Sequence, residues 1–148
     1  MTKFSMLKLS LFAAVLALAS TATLNAQTPG GQAKFQVPFT FQVDSVQFAP
    51  GTYTVAMLNA ATLKVTGPRN SVFAPMHLVE GNKASTKSKL VFVRVGSQYF
   101  LRETWAEGSA KYLVTFQSKA EKQAAKLELA ASHPATAAVE IAQAANDK

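Results

Sequence analysis

Cysteine is absent from the 148-residue chain. That excludes a disulfide scaffold, a thiolate zinc site and a lipid-modified N-terminal cysteine. Histidine is scarce. His77 and His133 lie far apart, with no H-x-H or H-x-x-x-H pairing, so neither a metal nor another cofactor is expected. Aspartate occurs at Asp44, in a turn, and at Asp147, in the tail, and no G-x-S-x-G is present. A Ser-His-Asp hydrolase therefore has neither its order nor its context. No glycine-rich phosphate loop or G-x-G-x-x-G occurs. Charged residues are only 16% of the chain and hydrophobic ones 49%, too apolar a balance for a disordered protein. What charge there is leans one way, with 15 Lys+Arg against 8 Asp+Glu and a net +7. The length suits one domain.

The N-terminus reads as a targeting segment. Lys3 and Lys8 precede an apolar run, Leu9–Ala19, interrupted only by Ser10, and a small, polar stretch ends Leu24-Asn25-Ala26. That is the plan of a secretory signal peptide over residues 1–26, with cleavage after Ala26. The run falls short of the ~20 residues that span a bilayer. Its removal takes Lys3 and Lys8 and no acid, lowering the formal charge from +7 to +5. An exported chain without cysteine must rely on its core for stability.

Residues 27–33 (QTPGGQA) are expected to form a flexible leader before a single β domain over 34–148. Phe35, Val37, Phe39, Phe41 and Val43 alternate with polar residues or Pro38, the period of a half-buried strand. Pro38 cannot donate to a ladder, which places this strand at an edge or at a bulge. Asp44-Ser45 reads as a turn, and Pro50-Gly51 suits the centre of a type II turn. Strands follow at residues 52–57 and 63–65, the latter closed by Gly67-Pro68-Arg69-Asn70. Another covers 72–79, where Pro75 again argues for an edge or a bulge. Residues 80–88 are a polar loop.

The clearest hairpin runs from Leu90 to Trp105 about a primed Gly96-Ser97 turn, which pairs Val95 with Gln98 and Phe92 with Leu101. An unbroken register puts Leu90, Phe92, Arg94, Tyr99, Leu101, Glu103 and Trp105 on one face. Val91, Val93, Val95, Phe100 and Arg102 take the other. Both faces are apolar near the turn, so one should meet a helix or a partner, or the hairpin should be central. Tyr112, Val114 and Phe116 mark a further strand after Glu107-Gly108-Ser109. Ser118 and Glu121 then form an S-x-x-E capping box that opens a helix near 119–131, with Ala120, Ala124, Leu127 and Ala131 on one face. Residues 135–145 suit a closing strand or an Ala-rich helix. The fold class is mainly β, a small antiparallel sandwich or barrel of about seven strands with one C-terminal helix. The strands are short for a membrane barrel, and a capped helix has no place in its wall.

The ordered motifs F-Q-V-P-F-T-F-Q-V at Phe35–Val43, F-A-P-G-T-Y-T-V at Phe48–Val55 and L-V-F-V-R-V-G-S-Q-Y-F-L-R-E-T-W at Leu90–Trp105 carry a resemblance. The chain resembles a functionally uncharacterised family of short secreted bacterial proteins, common in acidobacteria, with an S-x-x-E helix as at Ser118–Glu121. It departs from the pattern at Phe48, usually Leu, at Ala49-Pro50, usually Pro-Ala, and before Ser118, where members carry a Leu-Pro-Lys run. The resemblance implies one exported β domain and supplies no catalytic residue. The Gly-x-Tyr step at Gly51–Tyr53 also occurs in unrelated sandwiches, where the tyrosine braces a corner, and Tyr53 is expected to do so here.

Paired carboxylates for glycosidase chemistry would have to be Glu103 and Glu107 in one cleft. A solvated Glu107, and a Glu103 paired with Arg94 or Arg102, is the simpler expectation. Arg94, Tyr99, Arg102 and Trp105 interleave bases and aromatics on one hairpin and are the candidate interaction residues. Export argues against nucleic acid as the partner and leaves an envelope protein, a glycan or a lipid. These features point to an exported, non-enzymatic β domain with a binding or structural role at the cell envelope or exterior. It would be periplasmic, outer-membrane-associated or extracellular, with no transmembrane helix once the signal is removed. A small barrel binding an apolar ligand or lipid is the alternative, and a small hydrolase the third reading.

Overall fold

The computed structural model describes residues 31–131 and 136–144. The signal-peptide segment 1–26, most of the leader and His133 lie outside the described residues. The described residues are mainly β with one helix, in the order β1 (Gln32–Val37), β2 (Phe41–Val43), β3 (Val46–Phe48), β4 (Gly51–Asn59), β5 (Thr62–Thr66), β6 (Ser71–Glu80), β7 (Lys89–Val95), β8 (Gln98–Trp105), β9 (Lys111–Thr115), α1 (Lys119–Ala130) and β10 (Thr136–Ala142).

The strands form two layers. In the first, β1 pairs with β4, β4 with β5, and β5 with residues 71–75 of β6, all antiparallel. In the second, residues 76–80 of β6 pair with β9, β9 with β8, β8 with β7 and β7 with β10. β3 joins through β2, which touches β8 by one parallel bridge at Gln42 and Phe100. The combined sheet stays open, so the architecture is a sandwich rather than a closed barrel. The amide of Ala144 donates to Lys34 O, 3.1 Å away, so the end of the described tail lies against the β1 edge.

Among the described residues ten strands replace the expected seven. The alternating ribbon Phe35–Val43 is not one strand, because at Pro38 it leaves the first sheet and resumes as β2 in the second. β3 is three residues long, too short for its alternation to register. The C-terminal segment, open between strand and helix in sequence, is a strand along β7. Gly51 opens β4 without positive φ, so the type II turn expected at Pro50-Gly51 does not form. The Gly96-Ser97 turn does form, with Gly96 at φ 61°, and it pairs Val95 with Gln98 through Phe92 with Leu101 as expected. A bulge then intervenes: Val91 faces Glu103, Leu90 faces Thr104 and Lys89 faces Trp105. The extra residue is Arg102. Cross-strand partners point to the same side. The bulge therefore moves Glu103 and Trp105 to the outer face and turns Thr104 inward, correcting the unbroken register.

The core is aromatic. Phe35, Phe41, Phe48 and Phe92 are fully buried with Leu63 and Leu90. Phe41 stacks on Phe48 at 5.2 Å, and Tyr53 meets both edge-on at 5.0 and 5.4 Å. These are favourable quadrupole geometries. Tyr53 braces the corner as expected: its hydroxyl donates to the carbonyl of Ala49, four residues upstream. A Cβ at Gly67 would overlap this ring, lying 2.9 Å from Cδ1. Gly67 is thus the floor on which Tyr53 rests.

Burial pushes the Tyr53 phenol above its ordinary value of 10.0, and the Arg69 guanidinium draws it part of the way back. The unfolded chain ionises first, so it holds fewer protons than the fold above pH 10. Stability is then complete below that pH and declines as pH rises through the window above it. Tyr53→Phe is expected to cost about 1 kcal/mol in urea unfolding at pH 7 and to flatten the alkaline decline. Gly67→Ala, which overpacks a ring with no room to move, should cost about 1–3 kcal/mol. An unchanged unfolding midpoint for Gly67→Ala would contradict the corner.

Candidate functional site

The four residues singled out on the hairpin are not gathered into one surface. Arg94 and Tyr99 are cross-strand partners, with the guanidinium carbon 5.9 Å from the ring centroid. Arg94 Nε also donates to Gly96 O at 2.8 Å. The Tyr99 ring stacks on Phe39 at 4.2 Å. Trp105 lies at the other end of the hairpin. Tyr112 of β9 stacks on it at 4.0 Å and 8°, and Lys89 of β7 places its ammonium 5.2 Å from the ring centroid. These neighbours come from the strands on either side, so neither ring face is open to stack on a sugar. The indole Nε1 donates to Glu103 at 2.8 Å. Glu103 therefore serves Trp105, not Arg94 or Arg102 as expected, while Glu107 is exposed in its turn.

Arg102 belongs to the helix. Its Nη2 bonds Glu121 of α1, and its Nη1 donates to Thr115 O at 3.1 Å. The side chains of the pair are 18% and 4% exposed. Ser118 caps α1 by accepting the Glu121 amide at 3.1 Å, but the Glu121 carboxylate turns to Arg102. Half of the expected capping box is thus exchanged for a tertiary ion pair. Ala120 and Ala124 of α1 pack on Val93, Val95 and Phe100. This is the cover that the second apolar face of the hairpin required. A Cβ at Gly96 would collide with the Glu128 carboxylate, so that glycine serves both the turn and the seat of α1. Leu127, on the face expected to pack, is 64% exposed, so the apolar docking of α1 ends at Ala124.

His77 stands exposed against the Phe116 ring at 5.1 Å. Among the described residues no group of three or more His, Cys, Asp or Glu is placed to hold a metal ion. No helix of the described residues is long and apolar enough to cross a membrane.

Among the described residues a cleft of about 660 Å³ lies at one end of the sandwich, between the sheets. Phe35, Val55, Met57, Leu58 and Leu63 line it from the first sheet. Leu78, Thr104 and Leu113 line it from the second. Phe35, Val55, Leu63 and Leu113 are buried core residues, whereas Gly31, Asn59, Ala106 and Lys111 are exposed, so the cleft runs from an open rim to the core. Leu90, Thr104, Leu113 and Leu78 form one inward row across β7, β8, β9 and β6. The Thr104 hydroxyl is buried there without a hydrogen-bond partner.

Trp105 also lines the cleft and is the one hairpin candidate that does. The rest of the site was missed. Its inward row depends on the Arg102 bulge, and its cavity arises where two sheets fail to fill the space between them. A threonine among inward apolar positions is the sequence signal, visible only once the bulge is placed.

No family model, no curated protein and no solved structure matches this chain.

The ion pair generates a stability prediction. Arg102→Met strands a buried carboxylate and should cost about 3–5 kcal/mol, whereas Arg102→Met with Glu121→Leu should recover most of the loss. Chemical denaturation of both variants checks this, and a single-variant cost below about 0.5 kcal/mol would mean that the pair does not hold α1.

Proposed function

We propose that this chain is an exported, non-enzymatic β-sandwich of the cell envelope or exterior that binds an apolar small molecule or lipid chain between its sheets. One observation carries the reading: a mostly apolar cleft that deepens from an exposed rim to Phe35 and Leu63. Its size falls within the roughly 300–1,000 Å³ of small-molecule sites, and its charge and hydroxyl groups stand on one wall, where they can orient a ligand. The apolar-ligand alternative is retained with an open sandwich in place of the barrel.

Export rests on the three-part pattern of residues 1–26 and on the resemblance to short secreted proteins. The envelope role rests on the same grounds, together with the basic balance, which favours anionic surroundings. An enzymatic role draws no support from His77, which rests on Phe116, nor from Glu103, which holds the Trp105 indole.

The full chain, expressed with its own N-terminal segment in a bacterial host with two membranes, tests this. The exported protein is expected to begin at Gln27 by intact mass. Its organic extract is expected to contain one apolar species in near-equimolar amount. Leu78→Arg places a charge on the cleft wall at a half-exposed position and should abolish that species while leaving the fold intact by circular dichroism. An empty extract, with a protein recovered stoichiometrically after crosslinking, would overturn the reading in favour of an interaction module.

A further inference from the structure

The polar groups of the cleft are unevenly placed, and their placement describes a ligand. The first sheet contributes Phe35, Val55, Met57, Leu58 and Leu63, with the amides of Gln32 and Asn59 at the rim and no charge or hydroxyl. The wall contributed by the second sheet ends in a polar corner. Thr104 of β8 faces Leu113 of β9, and Lys111 stands two residues before Leu113 on the same side of that strand. Diagonal neighbours of this kind sit about 7–8 Å apart, a gap that one ligand head group can bridge. Ser88 and Ser109 line the same end.

Lys111 is the charged residue of the lining, and no carboxylate accompanies it there. Glu80 is its cross-strand partner on β6, but the ion pairs among the described residues are Lys89–Glu140 and Arg102–Glu121, and neither involves Lys111. The Thr104 hydroxyl has no partner. A buried hydroxyl left unpaired carries a desolvation cost, which a ligand acceptor would relieve. An ammonium at the rim and a buried donor behind it ask for an anionic group that offers acceptor oxygens. The apolar wall opposite asks for a hydrocarbon chain.

We propose that the ligand is a single-chain amphiphile with an anionic head, a carboxylate or a phosphate. The head rests between Thr104 Oγ1 and the Lys111 ammonium, and the chain runs along Phe35, Val55 and Leu63. This inference rests on the cleft-binding reading above and adds the charge and orientation of what binds.

The Trp105 indole stacks on Tyr112 at the outer face, so occupancy is read by isothermal titration calorimetry and not by its emission. The delipidated full chain is titrated below their critical micelle concentrations with palmitate, 1-palmitoyl lysophosphatidate and hexadecanol. Hexadecanol has the same chain length as palmitate and no charge. At least one anionic ligand is expected to bind about tenfold more tightly than hexadecanol, and comparison of the two anions identifies the carboxylate or phosphate source. Lys111→Gln, at an exposed position, should reduce that preference to near parity while leaving hexadecanol unchanged. Thr104→Val should weaken the preferred anion several-fold with no loss of thermal stability. Equal affinity for all three in the native protein would overturn the anionic head and leave apolar binding standing. No saturable change with any of them would overturn both.

Discussion

Proline's missing amide donor shapes this fold at two of the three places where the chain changes sheets. Pro38 ends β1 in the first sheet, and the chain resumes at Phe41 as β2 in the second. Pro75 is the last residue of β6 to pair with β5, and Met76 is the first to pair with β9. A central strand would lose a ladder bond at each proline, so the ladder ends there instead. The side-chain alternation runs on through both breaks. Phe35, Val37, Phe41 and Val43 all reach one core, as do Val72, Ala74 and Met76. The two sheets are therefore folded from continuous ribbons, and their separation is set at these corners.

The site follows from that separation. Near Tyr53 the space between the sheets is filled by stacked and edge-on aromatics, and Gly67 admits the ring that closes the corner. At the opposite end Phe35 is the one buried aromatic of the lining, and the smaller side chains Val55, Leu63 and Leu113 leave the cleft open. The bulge at Arg102 has two consequences. It frees the guanidinium to reach Glu121 and fasten α1, and it turns Thr104 into the cleft. The residue that docks the helix thus also sets the polarity of the cleft wall.

Much of the fold was legible in the chain. The alternation at 35–43 and 90–105, the Gly96-Ser97 turn and the Ser118 cap are local signals, each with a short-range physical cause, and each reappears. What escaped was decided at long range. Pro38 signals a disturbed ladder but not that the chain crosses to another sheet. The bulge leaves the apolar pattern almost unaltered, because Arg102, Glu103 and Thr104 are all polar. That one slipped residue reassigns Trp105 and Thr104 to opposite faces. Arg102, chosen as a surface base, is held by a carboxylate nineteen positions away on a helix. The cleft itself has no sequence motif, since it is a shortfall of volume between two sheets.

Placement of a bound chain inside the sandwich is the central claim. Its most direct measurement is the nuclear magnetic resonance spectrum of the isotopically labelled protein with a palmitate analogue spin-labelled near its methyl end. Selective broadening of Phe35, Val55 and Leu63 is expected, with Leu127 and Leu129 of α1 unaffected despite their exposure. Broadening centred on those α1 leucines, with the cleft residues sharp, would contradict it.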